Sequence, residues 1–556
     1  MKLTGLLFAA ALLGACTQPA AEENYTRHVD PKIGTGGHGH VFVGANVPFG
    51  LVQVGPTSIP QTWDWCSGYH ASDSTVIGFS HTHLSGTGIG DLFDVTVMPV
   101  TGDVTYARGE EADPASGLWS YADRTQEIAR PGYYSVPLTR YGIRAELTAT
   151  ARVGLHRYTF PASDAAAVVF DLENGGCWDK ATETHLAKEG DRTVTGWRHS
   201  TGWAKDQRVY FAAEFSKPFE KFETIGDNYA RASFRTTDGE QVSLKVALSP
   251  VSVEGAKANL AAELSGWDFD ATAKAADKAW NDELSKVKIE TADETARRIF
   301  YTALYHTMIA PSLFCDVNGD YYGSDHAIHR NADFTNYTTF SLWDTYRAAM
   351  PLMTVLHPEK MADIVQTMLT ISDEQGRLPV WHLWGNETDC MVGNPGIVAV
   401  ADAIVKGIGG FDREKAFEAI RKTAMNPDRG NGLRMEYGYI PCEMFNEAVA
   451  YDMEYALADG AAARAAETLG KAEDAKYFEE RSHSYRNYFD PATRFMRGRD
   501  SKKGWRTPFN AFASTHRADD YCEGNAWQYT WLAPHDVKGL CLLYTSPSPR
   551  DSTSSR

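Results

Sequence analysis

The chain has 556 residues, 43% of them hydrophobic and 23% charged, an ordinary globular composition and longer than one hydrophobic core normally supports. A formal net charge of −18, with no basic cluster to interrupt it, excludes a nucleic-acid partner, because that affinity rests on Lys and Arg neutralising phosphates. The 14 Trp and 26 Tyr supply flat aromatic faces, which fill cores and also stack on the C–H faces of sugar rings.

Residues 1–15 read as an export signal: Lys2, a short apolar run from Leu6 to Leu13, then Leu13-Gly14-Ala15-Cys16, too short to span a membrane permanently. The ending resembles the bacterial lipobox. That resemblance implies cleavage before Cys16, lipidation of its thiol and a membrane anchor for an otherwise soluble body. Thr17 in place of aspartate implies the outer membrane, on a face the sequence leaves open. Residues 16–28 form a small, polar tether. Over 29–255, short β-branched runs such as Leu51-Val52-Gln53-Val54, Ala167-Val168-Val169-Phe170 and Val242-Ser243-Leu244-Lys245-Val246 alternate with Gly, Asn and Asp, predicting an antiparallel β-sandwich.

From residue 256 the spacing turns helical. A connector over 256–290 is centred on Ala261 to Lys288, and helices are expected at Glu294 to Ala310, Thr345 to Leu356, Ala362 to Ile371, Ile397 to Ile408, Arg413 to Thr423, Glu447 to Leu469 and Asp474 to Tyr488. Helices in series joined by loops rich in aromatics and acids suggest an α/α toroid over 291–540, with too few helices to close a double ring of twelve. Residues 541–556 have no apolar periodicity and read as an artefactual tail. The six cysteines between Cys16 and Cys541 form no Cys-x-x-Cys pair, which speaks against a thiolate zinc site.

Glycosidic cleavage needs an acid to protonate the leaving oxygen and a second carboxylate to activate water or attack directly. Glu523, in Tyr521-Cys522-Glu523-Gly524-Asn525-Ala526-Trp527-Gln528-Tyr529, is the candidate acid, with Trp527 and Trp531 expected to raise its pKa by desolvation. Three further clusters combine stacking faces with hydrogen-bonding groups and together describe a sugar pocket: Trp63-Asp64-Trp65, Trp343-Asp344-Thr345, and Trp381 to Met391 with Trp384 and Glu387. Asp344 opens a helix and is also placed to cap it. Histidine pairs His38/His40 and His81/His83 would face one side of a strand and offer zinc ligands, although no His-Glu-x-x-His helix accompanies them.

These segments together resemble glycoside hydrolase family 92, the calcium-dependent exo-acting α-mannosidases of bacteria. The resemblance runs from about Tyr25 to Leu540 and is carried by Ile33-Gly34-Thr35-Gly36-Gly37, Pro48-Phe49-Gly50, Cys66-Ser67-Gly68-Tyr69, the segment from Gly78 to Gly88, Gly196-Trp197-Arg198, Trp343-Asp344-Thr345, Gly385-Asn386-Glu387-Thr388 and Glu523 to Tyr529. It implies a β-sandwich packed on an (α/α)6 toroid, inversion of configuration, Glu523 as general acid, Trp65 and Asp344 lining the sugar subsite, and a Ca²⁺ on the mannose 2- and 3-hydroxyls. Asn525 and Gln528 are its calcium candidates in this chain. The family's aspartate base lies in a later acidic segment that this sequence lacks, along with most calcium ligands. Loss of a base costs about 10²- to 10⁴-fold, so the chain as written is expected to be nearly inactive. Two other readings fit the same residues: an inverting sugar phosphorylase, which needs only one glutamic acid, and a non-catalytic glycan-binding lipoprotein.

Overall fold

The computed structural model describes residues 23–60 and 62–545. The signal segment, Cys16 with its lipidation motif, and 546–556 of the tail lie outside them. Two antiparallel sheets form the N-terminal half. One has six strands in the order Gly55–Thr57, Gly78–Ser80, Thr96–Thr101, Ser163–Asp171, Tyr229–Thr236 and Lys221–Ile225. The other has eight, running Lys180–Glu189, Thr193–Thr201, Gln207–Phe215, Glu240–Ser249, Val153–Phe160, Ile143–Ala149, Tyr133–Leu138 and Ile128–Arg130.

Alternation along Glu240–Ser249 shows how the layers are built. Val242, Leu244, Val246 and Leu248 enter the sandwich core against Val168 and Phe170 of the six-stranded sheet. Ala247, on the other face, packs with Val153 and Leu155 against Leu264, Phe269 and Ala273. The sheet is therefore covered on both faces, although its central strands still alternate, with Ser243 and Lys245 interleaved among the apolar residues of Glu240–Ser249. Helices Val253–Glu263 and Phe269–Leu284 provide that cover. The second buries Phe269, Ala273, Ala276, Trp280 and Leu284 along one stripe, and Asp268 caps its start by accepting from Ala271 N.

Helices dominate the C-terminal half. Pro358–Gln375 extends beyond the expected Ala362 to Ile371 because Pro358 suits the first turn and Gly376, at φ +94°, closes the last. The expected Thr345 to Leu356 helix is instead two pieces, Leu342–Thr345 and Ala349–Leu356. The expected Asp474 to Tyr488 helix ends at Arg481 and continues as a 3₁₀ turn, Ser482–Tyr488. Ala448–Thr468 is buried on nearly every side, which explains its alanine content. Val537–Thr545 runs past Leu540 into the segment read as an artefactual tail, where Tyr544 packs on Trp531 at 5.3 Å.

The halves share one core, since the cluster that fills the sandwich also contains Trp381, Trp384, Tyr439 and Tyr529. Asp206 N donates to Asn386 Oδ1 at 3.0 Å and Asn386 Nδ2 donates to Asp206 O at 2.9 Å, while Trp203 meets Trp381 edge-on at 5.8 Å.

The two histidine pairs weighed as zinc ligands have other partners. His38 and His40 lie in a loop and face Asp64, at 2.5 and 3.8 Å. His81 Nδ1 donates to Val95 O at 2.6 Å and its Nε2 meets His156 Nε2 at 2.9 Å, whereas His83 Nδ1 donates to Gln53 O at 2.7 Å and its Nε2 faces Thr57 Oγ1 at 3.5 Å, so the second nitrogens of the pair are turned to different partners. Burial pushes His83 down to about 4, and the neutral ring is the folded form. The unfolded chain then binds the extra proton as pH falls below about 6.5, so this contribution is complete at neutral pH and lost on acidification towards 4. The urea stability of wild type relative to His83→Gln is expected to fall by ~1.4 kcal/mol per pH unit across that window. A difference independent of pH would refute it.

Candidate active site

The segment carrying Glu523 is held from several sides. Ala450 N, an unpaired donor in the first turn of Ala448–Thr468, donates to Asp520 O at 3.1 Å, and Glu447 N donates to Asp519 O at 2.8 Å. The Tyr521 hydroxyl donates to Met496 O at 2.6 Å and the Tyr529 hydroxyl to Cys522 O at 2.7 Å. Between these anchors Glu523 sits at φ +46°, a left-handed conformation unfavourable to a side chain bearing Cβ. Its side chain is exposed and, among the described residues, makes no hydrogen bond or ion pair.

The expected desolvation by tryptophan is not there. Trp527 is 46% exposed and leans on Phe495 and Phe512, while Trp531 is 57% exposed against Tyr544. Helix Ala526–Tyr529 is a single turn, so these rings project away to neighbouring aromatics. Asn525 and Gln528 form that turn's capping box: Asn525 Oδ1 accepts from Trp527 N and Gln528 N, and Gln528 Oε1 accepts from Asn525 N at 2.9 Å.

Glu447 is the neighbour that sequence reasoning missed as a functional group. It is 5% exposed and lies at φ +54° immediately before Ala448–Thr468. Burial raises its pKa, opposed by the Arg517 charge and the Cys522 thiol nearby. Among the described residues, Oε1 has no hydrogen-bond partner. Glu447, Arg517, Asn446, Phe445 and Tyr451 line a cavity of about 500 Å³. Arg517 Nη2 donates to Cys390 O at 2.6 Å, bringing the loop after Glu387 to this place, and Asp344 lies close enough for its charge to act on Cys390. The missed signal was a glutamate where Ser, Thr, Asp or Asn normally caps a helix.

Other predicted residues divide between the surface and the framework. Asp344 is exposed and accepts from Ser341 Oγ at 2.5 Å. Its helix is fastened by Glu454, which accepts from Trp343 Nε1, the Tyr346 hydroxyl and Arg347 Nη2 at 3.0, 2.8 and 2.7 Å. Trp384, expected to bind sugar, is 2% exposed and packs edge-on against Phe314, so it supports the fold. Both Glu387 oxygens are committed to backbone donors, from Val380 N at 2.8 Å and from Trp381 N and Asp389 N at 2.9 and 3.0 Å. Trp63 and Trp65 form a separate group in the sandwich half. Trp63 Nε1 donates to Gly88 O at 3.2 Å and Trp65 Nε1 to Asp73 Oδ2 at 2.9 Å, with His40 against Trp63 and His70 against Trp65. Among the described residues, no hydrogen bond or ring contact joins either indole to Asp344 or Glu523.

Glu447→Gln keeps the shape while removing a carboxylate whose ionisation burial opposes. The variant should melt higher than wild type at pH 8, where the native Glu447 penalty is felt, and equally at pH 4, where both side chains are neutral. If the free oxygen receives a substrate hydroxyl, kcat/KM should nonetheless fall by about 10-fold or more. Unchanged kcat/KM would reduce Glu447 to a structural residue.

Comparison with known proteins matches the sequence model described as the glycosyl hydrolase family 92 N-terminal domain to residues 28–249, and that of the family's catalytic domain to 255–549. The fold is similar to that of the family GH92 α-mannosidase BT3965 of Bacteroides thetaiotaomicron, solved with mannoimidazole. That similarity has 39% identity and a TM-score of 0.91, and covers 94% of this chain and 72% of that one. The inverting mannosidase BT2199 of the same organism is 29% identical with a TM-score of 0.85, over 94% of this chain and 72% of that one. A protein of Arthroderma benhamiae described as an uncharacterised secreted glycosidase is 26% identical, over 94% of this chain and 72% of the relative. The architecture is thus the β-sandwich on an α/α toroid shared by these structures.

Proposed function

The chain belongs to glycosyl hydrolase family 92, and from that premise we propose that it is an exo-acting α-mannosidase, releasing terminal mannose from glycans with inversion, with Glu523 as general acid. The observation that carries the reading is the Glu523 turn: an exposed carboxylate, held in a left-handed conformation by anchors on both sides, with no hydrogen-bond or ion-pair partner among the described residues. Fixing an unpaired acid in a strained turn makes physical sense where a ligand atom will meet it. The mannosidase names of the two similar Bacteroides proteins support the sugar assignment.

In this reading the Glu523 carboxyl gives its proton to the glycosidic oxygen as the bond to the anomeric carbon breaks. Asp344 and Trp65 line the sugar subsite, Asp344 accepting hydroxyl donors and Trp65 offering a ring face. Trp63 and Trp527, both substantially exposed, provide further stacking surfaces. Calcium takes six to eight oxygen ligands. Asn525 Oδ1 and Gln528 Oε1 are already engaged in the capping box, and the convergent group of three ligand side chains found among the described residues lies elsewhere and includes an imidazole. These donors do not fit a calcium cage at the acid segment.

An exported protein tethered by a lipid on Cys16 suits a glycan substrate outside the cytoplasm. The secreted relative agrees with export, and among the described residues no helix is long and apolar enough to cross a membrane. The test is an assay of the full chain at high enzyme concentration and long incubation, because a chain without the family's base should turn over about 10²- to 10⁴-fold slowly, on α- and β-linked aryl mannosides and aryl glucosides. Preferential cleavage of the α-mannoside, giving β-mannose as first product by NMR, is expected. Preference for another glycone, or α-mannose as first product, would overturn the assignment or its stereochemistry respectively.

A further inference from the structure

Away from the acid segment, Asp325, His329 and Glu374 bring one imidazole nitrogen and two carboxylates within 4.8 Å of one another. Asp325 and His329 belong to a small hairpin whose strands are Tyr321–Tyr322 and Ile328–His329, and Glu374 lies in the last turn of Pro358–Gln375. His329 Nε2 is 3.1 and 3.2 Å from the two Asp325 oxygens and 3.3 Å from Glu374 Oε1.

A single N–H cannot point at three oxygens. A charge-assisted hydrogen bond to one of them would close to about 2.7–2.9 Å, and none of these distances does. Separations of this size do match the ligand-to-ligand edge, about 3.3 Å, of a tetrahedron around a cation with bonds of about 2.0–2.1 Å. The donors are also held from behind, as metal ligands characteristically are. The Tyr321 hydroxyl donates to Glu374 Oε1 at 3.0 Å, Ser324 N to Glu374 Oε2 at 2.6 Å, and Ala327 N to Asp325 Oδ1 at 3.0 Å. The His329 ring is stacked on Tyr321 at 4.8 Å with an 8° interplanar angle, which fixes its plane.

We propose that Asp325, His329 and Glu374 form a binding site for a divalent transition cation of the zinc type, with water completing the shell. One nitrogen and two carboxylates suit zinc or its neighbours, whereas calcium favours oxygen ligands alone. The bound cation ties the hairpin to the helix end. The same hairpin reaches the N-terminal half, because the Tyr322 hydroxyl donates to Asp206 Oδ2 at 2.9 Å, while within the helical half Ser324 Oγ pairs with His382 Nε2 at 2.9 Å. The site therefore stiffens the seam between the two halves.

The experiment uses the full chain, stripped with EDTA, with exposed Cys541 replaced in every protein by Cys541→Ser to remove a competing thiol. Zinc is titrated by calorimetry, and cobalt(II) substitution is followed in the visible spectrum. Saturable 1:1 zinc binding is expected, with a raised urea midpoint. Affinity should weaken by about 100-fold or more in His329→Gln and in Asp325→Asn, whose side chain is exposed enough to leave folding intact. Absence of saturable binding by the parent protein overturns the proposal in favour of an imidazolium shared by two carboxylates. So does binding of equal strength in both variants, which would place the cation elsewhere.

Discussion

Glu523→Gln is expected to slow hydrolysis of an α-linked mannobiose by about 10²- to 10⁴-fold, while leaving a 2,4-dinitrophenyl α-mannoside nearly unaffected. The contrast follows from leaving-group chemistry. A sugar alkoxide cannot depart without a proton, whereas dinitrophenolate departs as a stable anion. Glutamine keeps the side chain's volume in a turn fixed by the Tyr521 and Tyr529 hydroxyls. The backbone at φ +46° is retained, so a folding defect should not mimic the effect. Rates are read for both substrates on the same preparations. An equal loss on the two would mean that Glu523 positions substrate or structure and is not the acid. No loss on either would remove it from the chemistry.

Arg198→Met is expected to destabilise the sandwich half by about 3–5 kcal/mol. The guanidinium uses Nη1 on Asp94 Oδ1 at 2.7 Å, Nη2 on Asp179 Oδ1 at 2.5 Å, and Nε on Leu172 O at 2.9 Å, and all three charged side chains are wholly buried. Removing the cation leaves two carboxylates in a water-free interior. Burial pushes Asp179 up to about 6 even with Arg198 beside it. Without the arginine Asp179 should take up a proton more readily still, so the loss should be largest at pH 8 and shrink towards pH 5. Arg198→Lys should also be costly, because a point charge cannot serve three acceptors arranged for a planar fork. Adding Asp94→Asn and Asp179→Asn to Arg198→Met should recover most of the stability, since replacing an entire buried charge group is often neutral. Urea transitions followed by near-ultraviolet circular dichroism check each step. A loss below about 1 kcal/mol, the level of an exposed pair, would contradict the buried geometry.

Much of this architecture was legible in the residue pattern. Short β-branched runs with Gly, Asn and Asp between them marked the sandwich, and the 3.6-residue spacing marked most helices to within a turn. The exceptions have local causes. Pro358 and Gly376 extended one helix beyond its apolar stripe, and the 3₁₀ turn after Arg481 continued the same periodicity without the same hydrogen bonding. The site was legible only in part. Glu523 stood out because acid, amide and aromatic residues adjoin it in sequence. Trp384 and Glu387 had equally suggestive neighbours, yet one fills the core and the other holds backbone donors.

What the sequence by itself determined was the family, the order of sheet and helix, and the chemical types gathered near the acid, because these depend on local periodicity and on short motifs. Only the tertiary structure decided which groups meet. Arg198 finds Asp94 across 104 residues, Arg517 reaches Cys390 across 127, and Glu447 comes beside Cys522 through the anchoring of the acid loop on the following helix. Burial, not composition, then set what each group does: it left Glu523 facing solvent, raised Glu447 and withdrew Trp384 into the core. Contact and desolvation depend on how distant segments pack, and no local window of residues contains that information.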